Sequence, residues 1–388
     1  MTGGELPIGR RVAQWRVRRR LTQQVFADRL GKSKSWVDKV ERGVRALDRY
    51  SVIEEIAEVL RVDAVVLLGR DAAMVSVSST GSGLDGVERL RAALTSYEVF
   101  RTGAEPAPVS PAELDRHVGH AVLTYQHAHY ALLVRTLPGL LDAARRLHRV
   151  DPARGAELLV RSYRIVSLLA VKLGEPELAW LAADRAVAVA GTDPGLAATA
   201  VVPLAQALRA SGRDRLAWTA TVAVACRSGV GGSVAGALLV QAGLAAAGCG
   251  DRRAVTELLD QAEATLVRGH GRRIDVGPVE VEVARVVAVA VLGDAGEAVH
   301  RHEQVVRRDG WRGLPAEHRG AYLLDVARAY LQFGDPVGAG RVLVAADRVA
   351  PAEVRCRPTA RTVIAEVARG DPAASDVARL ATLVGLTR

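Results

Sequence analysis

Apolar residues recur at helical spacing from Ile8 onward, and no stretch keeps up the strict alternation of a half-buried strand. The first sixty residues divide into five short helices. Over 9–20, Val12 and Trp15 share a face while arginines take the others. Thr22 is placed to cap a helix over 23–30, with Val25, Ala27 and Leu30 facing inward, and Gly31 ends it by accepting the left-handed conformation. Ser33 caps a third helix over 34–42, in which Val37 and Val40 point inward before Gly43 closes it. Ser51 is the expected cap of a fourth helix over 52–60, and Asp63 of a fifth over 64–68.

From Arg70 to Gly86 the helical period is lost in a Ser/Gly-rich run, which reads as a flexible linker. A lone helix over 86–100 and a helix pair over 112–148 are expected next. The pattern then repeats. Gly174, Gly212, Gly250, Gly293 and Gly334 are spaced by 38, 38, 43 and 41 residues. Five positions after each stands a small residue: Ala179, Ala217, Val255, Ala298 or Ala339. Seventeen positions after stand Gly191, Gly229, Gly310 and Pro351, the third repeat slipping to Gly269. Each glycine would turn the chain between antiparallel helices, with Asp251, Asp294 and Asp335 capping the second. The small residue lets the pair approach closely. Repeats of this length and grammar stack into helix-pair solenoids. The expected fold is therefore all-α: a five-helix head over 1–69, a linker over 70–86 and a helical repeat domain over 87–388.

Composition sharpens this division. With 3 Phe, 5 Trp and 7 Tyr in 388 residues, apolar burial must rest on Ala, Val and Leu. The formal charge is +9, and its position matters more than its size. From Arg10 to Arg45, twelve Lys and Arg face only Asp28, Asp38 and Glu41, an excess equal to the whole chain's net charge. A local excess of this kind suits a phosphate-bearing partner. Of the four lysines, Lys32, Lys34 and Lys39 fall in this block. The three cysteines, Cys226, Cys249 and Cys356, lie far apart without metal-ligand spacing, which suits a reduced cytoplasmic protein. No secretory signal is legible, and the most apolar run, 234–249, is too short to span a membrane.

Two short helices joined by a tight turn, the second basic, form a helix-turn-helix pattern. The runs Ile8-Gly9-Arg10-Arg11-Val12, Leu21-Thr22-Gln23-Gln24-Val25-Phe26-Ala27, Leu30-Gly31-Lys32-Ser33-Lys34-Ser35-Trp36-Val37 and Lys39-Val40-Glu41-Arg42-Gly43 resemble the phage-repressor, or Cro-like (Xre), helix-turn-helix regulators. The resemblance covers residues 8–69, under a fifth of the chain. It implies that Ser33, Lys34, Ser35 and Lys39 reach base edges of double-stranded DNA. It also implies that Gln23 clamps a phosphate at a helix N-terminus and that Arg42 and Arg45 contact the backbone. Arg10 and Arg11 are either further backbone contacts or solvated. Arg16 and Glu41 match the family's internal salt bridge, and Trp36 reads as a packing residue.

The repeats look like degenerate tetratricopeptide repeats, most clearly from Leu173 through Ala186 and from Phe333 through Pro351. On their first helices the polar residues Tyr163, Gln206, Gln241 and Arg285 stand out against apolar neighbours. Either they contact a ligand in a concave groove or they hydrogen-bond within the superhelix. Histidines gather at His117, His120, His127 and His129 and again at His300 and His302, without the partners a metal site needs. No nucleotide loop or nucleophile elbow is present, so neither an enzyme nor a bound cofactor is expected. The whole architecture resembles the peptide-responsive regulators of Gram-positive bacteria. That resemblance implies a cytoplasmic homodimer on an operator, controlled by a peptide or small-molecule effector. The alternative is an adaptor whose repeats bring another protein to DNA.

Overall fold

The computed structural model describes residues 8–19, 21–45, 47, 50–60, 62, 67, 81–96, 109–227, 229–268, 277–369 and 375–386. Among these there is no strand; the protein is all-helical. The chain divides into two compact units, Met1–Ser79 and Thr80–Arg388.

The first unit holds α1 (Ile8–Arg18), α2 (Gln23–Arg29), α3 (Lys34–Glu41) and α4 (Tyr50–Leu60). Thr22 Oγ1 accepts the Val25 N–H and Ser33 Oγ the Trp36 N–H, so both caps fall where the sequence places them. Gly31 and Gly43 take φ of +62° and +75°. Two details differ. On two-turn α2 the buried stripe is Phe26 and Ala27, while Val25, about one-third of a turn away, is 40% exposed. α4 begins at Tyr50, which puts Ser51 inside the helix and not at its cap. The expected fifth helix lies outside the described residues except Leu67, which is buried. Gly9 is dictated by packing: a Cβ there would lie 2.0 Å from the Val40 carbonyl oxygen, so only glycine lets α1 cross α3.

The second unit opens with α5 (Gly81–Thr95), earlier than expected, so 81–86 is helix where a linker was anticipated. Residues 71–80 lie outside the described residues. The repeat helices follow: α6 (Pro111–Gln126), α7 (Tyr130–Val150), α8 (Pro152–Lys172), α9 (Pro176–Ala190), α10 (Pro194–Ala210), α11 (Asp214–Ala225), α12 (Gly232–Gly248), α13 (Arg252–Arg268), α14 (Pro278–Val291), α15 (Ala295–Val305), α16 (Ala316–Phe333) and α17 (Pro336–Val349). Three shorter helices end the unit: α18 (Pro351–Arg355), α19 (Pro358–Ala368) and α20 (Ser375–Leu383). α5 packs on α7; from α6 onward each helix packs on the next, and α6, α8, α10, α12, α14 and α16 also pack on one another in series. Those six form one continuous layer of a helix-pair solenoid, and their partners form the other.

The repeat grammar is realised in the backbone. All five turn glycines adopt positive φ, from +70° to +88°. All five residues at plus five are buried. Asp251, Asp294 and Asp335 each accept a backbone N–H from the first turn of the helix they precede.

The layer of even-numbered helices returns on itself: α16 packs against α6. Lys172, the last residue of α8, is buried and places Nζ 2.5 Å from Glu317 Oε1 and 2.9 Å from Glu353 Oε1. The Tyr125 hydroxyl donates to Glu317 at 3.0 Å, Arg357 Nη1 donates to Glu353 Oε2 at 2.9 Å, and the Tyr130 hydroxyl also donates to Glu353. Two cations, two carboxylates and two phenols thus balance one another. Burial and the adjacent carboxylates push both phenols above their ordinary pKa, keeping them as donors. Burial alone would raise the Glu317 carboxyl; Lys172, His318 and the hydrogen bonds from Lys172 and Tyr125 overcome it and hold it below the usual range. Around this cluster, Ala350 joins the apolar core of the first repeats, and Gly174 abuts Pro358 so closely that a Cβ would lie 2.6 Å from its ring.

Replacing Lys172 by Met leaves the Glu317 carboxylate without its lysine and Glu353 with Arg357 as its one paired cation, and should cost about 3–5 kcal/mol in denaturant unfolding, whereas Arg253→Ala, at an exposed ion pair, leaves the melting temperature unchanged. Because the native Glu317 carboxyl lies below its unfolded value of about 4.3, its stabilisation is complete above that pH and is lost as pH falls through the lowered native value. Glu317→Gln should therefore flatten the acid limb of a stability–pH profile.

Candidate nucleic-acid interface and repeat interior

In the first unit α1 acts as a strut. Arg16 Nε and Nη2 donate to the two Glu41 oxygens at 2.6 and 3.0 Å, and Arg16 Nη1 donates to the Leu21 carbonyl at 2.7 Å. Gln23 Nε2 donates to Glu41 Oε2 at 2.8 Å, so one carboxylate fastens α1, α2 and α3 together. Arg19 Nε reaches the Leu60 carbonyl at 2.9 Å and Arg11 Nε the Leu67 carbonyl at 2.7 Å. Arg11 is therefore partly engaged within the unit. Part of the basic block is spent on structure, and only the remainder is available to a partner.

That remainder includes exposed Arg10 and Arg18 on α1 and Arg29 on α2, and its lysines lie at the turn and along α3. Lys32, Ser33, Lys34, Ser35 and Lys39 are all exposed at the turn and along α3, and none of these lysines has an acidic partner among the described residues. Arg42 pairs with Asp38 one turn away. The Arg45 guanidinium lies 6.0 Å from the Trp36 ring, which is half-buried. Gln23 opens α2 with its amide already engaged by Glu41. The sequence-designated residues Ser33, Lys34, Ser35 and Lys39 thus lie on or beside one short helix, with Arg42 and Arg45 just beyond its end.

In the repeats the designated polar residues do not converge. Tyr163 is buried and accepts a hydrogen bond from Arg145 Nε at 3.0 Å. Arg285 is surrounded by acids, 2.7 Å from Asp260, 3.1 Å from Glu263 and 3.3 Å from Glu282. Partial burial would lower its pKa, but the hydrogen bonds to these carboxylates raise it. Gln206 is half-exposed on α10. Gln241 Oε1 accepts from Arg209 Nη1 at 3.1 Å, which ties α12 to α10.

Arg209 itself escaped the sequence reading, since an arginine in a last helical turn reads as an ordinary complement to the helix dipole. Its Nε is buried without a hydrogen-bond partner. Burial lowers its pKa, while Asp214 and, from α16, Asp325 act the other way. It stands one turn after Gln206, so α10 presents both on adjacent positions of one face. Of the histidines, His127 and His129 stack at 6.3 Å, and His302 is buried against Tyr322. Among the described residues no three His, Cys, Asp or Glu groups converge to hold a metal ion, and no helix is long and apolar enough to cross a membrane.

A pair of short helices meeting at a glycine turn, braced by a third and exposing a basic second helix, defines a helix-turn-helix DNA-binding domain. Residues 7–68 match the family model of the helix-turn-helix domain. No curated protein matches the chain in sequence. Among solved structures, the chain is similar to Bacillus thuringiensis PlcR in complex with the peptide PapR7 and DNA. That match has 12% identity and a TM-score of 0.33, and covers 89% of this chain and 96% of that one. It is also similar to a point mutant of PrgX, with 12% identity and a TM-score of 0.33, covering 84% and 95%. Likeness at this level carries no inference about function.

Glu41→Ala should strand Arg16 and release Gln23, destabilising the N-terminal unit by about 3–5 kcal/mol. Thermal unfolding followed at Trp15 and Trp36 would read this as an early transition, with that of the repeats unmoved.

Proposed function

We propose that the chain is a sequence-specific transcription regulator that binds double-stranded DNA as a homodimer in the cytoplasm, and that an effector held by its helical repeats modulates this binding. The observation that carries the reading is the exposed run from Lys32 to Ser35, continued by Lys39, beside a strut helix whose Arg11 and Arg16 are spent on structure. In this reading Lys34 and Lys39 donate to guanine O6 and N7, and Ser33 and Ser35 contact either base or phosphate. Gln23, Arg42 and Arg45 hold the backbone and fix the register of α3 in the major groove. Two copies would set two such helices about 34 Å apart, one turn of duplex.

The repeats supply the sensing surface. Gln206, Gln241 and Arg209 put polar groups on the continuous layer of inner helices, and the buried Arg209 Nε has room in its chemistry for one more acceptor. Tyr163 and Arg285 belong to the same layer, and a ligand there would have to compete with Arg145 and with three carboxylates respectively. A peptide or small molecule offering a carboxylate fits this surface best. By binding one arrangement of the repeats better than another, it would shift the population able to grip both half-sites.

Selection of bound duplexes from a random pool tests the reading. It should return a near-palindromic motif with two half-sites, and Lys34→Ala should weaken binding by about 1–3 kcal/mol and relax one base position. A pool without enrichment would overturn the proposal. Unchanged affinity and sequence preference in Lys34→Ala would overturn the placement of α3.

A further inference from the structure

One cleft in the repeat unit shares no lining residue with the proposed sensing surface of Gln206, Gln241 and Arg209 and is unusually aromatic for this chain. It opens between α15, α16 and α17 and has a volume of about 390 Å³, within the range of roughly 300–1,000 Å³ typical of small-molecule sites. Its walls carry Trp311, Tyr330, His302, Val306, Leu323 and Val342. In a protein with only fifteen Phe, Trp and Tyr, two of them, Trp311 and Tyr330, line this cleft together with the His302 ring. Trp311 packs edge-on to Tyr322 at 5.4 Å, and His302 does so to Tyr330 at 6.2 Å.

The space has a cause in the sequence. α17 turns one stripe toward the cleft: Gly338, Arg341, Val342, Ala345 and Val349, at helical spacing. Two of these are among the smallest residues. A Cβ on Gly338 would sit 2.5 Å from the Tyr330 ring, so glycine is what admits that ring to the wall. Opposite, the α15–α16 connection leaves Gly310 at φ +94° and enters a single 3-10 turn, Trp311–Gly313, which sets the indole over the site.

The floor is polar in composition but carries no charge. His302 Nδ1 lies 3.0 Å from the Tyr322 hydroxyl. Burial pulls the imidazole pKa down to about 4 and pushes the Tyr322 phenol up, so both are neutral at physiological pH. At the rim stand one fixed charge of each sign, Glu303 and Arg341, both exposed, both near enough to act on the Tyr330 phenol, and not paired with each other or any described residue. Such a rim favours a ligand that is neutral or carries both charges over one with a net charge of either sign.

We propose that this cleft binds a flat aromatic small molecule of about two fused rings, uncharged or zwitterionic, its rings packed between Trp311 and Tyr330 and its polar group directed to Glu303 and Arg341. Binding itself is independent of the regulatory reading. Its consequence for DNA rests on that reading, because α16 also carries Glu317, and a ligand wedged against α16 acts on the helix that closes the repeat unit.

The test uses the full chain with 15N-labelled tryptophan, the Trp311 indole signal being assigned with Trp311→Phe, and titrates 2-naphthol, zwitterionic tryptophan and 2-naphthoate. 2-Naphthol and tryptophan should shift the Trp311 signal with micromolar to submillimolar affinity, 2-naphthoate at least about threefold more weakly. Ala345→Phe, which fills the cleft, should reduce affinity by about tenfold or more. The rim variant Glu303→Gln/Arg341→Gln, at exposed positions that do not threaten folding, should weaken tryptophan while leaving 2-naphthol unchanged. The proposal is overturned if neither 2-naphthol nor tryptophan moves Trp311 below millimolar concentration, or if binding is indifferent to Ala345→Phe in a variant that melts like the parent. A separate anisotropy titration on the selected DNA reads the coupling. Ligand binding with unchanged DNA affinity would retain the site and remove its regulatory role, whereas failure to select any DNA would strike the proposed function and leave the site standing.

Discussion

A single ammonium group holds the repeat unit together. Lys172 lies between Glu317 and Glu353, which reach it from the far end of the array; Lys172 and Glu353 are buried and Glu317 nearly so. The chain has 48 arginines and only four lysines, and this is the one lysine outside the basic head. The choice has a physical reason. A compact ammonium directs three donors at separate acceptors, whereas a guanidinium is a planar fork suited to one carboxylate. The cluster also exploits helix ends: Lys172 is the last residue of α8, and Glu317 stands in the first turn of α16, so each charge complements the dipole beside it. Removing water from four charges is costly, and the arrangement holds because both carboxylates are met by cations and by phenol donors at once.

This constraint explains features that would otherwise be unrelated. Gly174 and Pro358 touch because the array has returned to its start, and Ala350 lies in a core otherwise built from α5 to α10. It also shapes the interior. Arg209 on α10 feels Asp325 on α16 because the two helices belong to the same closed layer. The head follows a parallel economy. There one carboxylate, Glu41, gathers Arg16 and Gln23, and Arg11, Arg16 and Arg19 of α1 and its end are consumed as struts, leaving α3 as the element whose lysines face outward unpaired.

Much of this could be read in the sequence wherever the information is local. A glycine followed at plus five by a small residue specifies a left-handed turn and a close helix pair, and the positive φ at Gly174, Gly212, Gly250, Gly293 and Gly334 follows from that requirement. The caps Thr22, Ser33, Asp251, Asp294 and Asp335 are equally local. Short helices were harder: α2 is too brief for its apolar stripe to be phased without its neighbours, so Phe26 and not Val25 is buried. Closure could not be read at all. Its hydrogen bonds join residues 192 and 223 positions apart, and nothing in the local pattern distinguishes Glu317 or Glu353 from a solvated helix carboxylate. The aromatic cleft was likewise invisible, because His302, Trp311, Tyr330 and Gly338 come from four segments that only the fold brings together.

The interior surface and the proposed coupling both depend on closure of the repeat unit. Spin labels at exposed Glu177 on α9 and Thr362 on α19, in full-length protein with the three exposed cysteines replaced, report that closure directly by double electron–electron resonance. A unit closed through Lys172 gives a single narrow, short distance that broadens and lengthens in Lys172→Met. A broad distribution in the parent protein, or an unchanged narrow one in Lys172→Met, would contradict it.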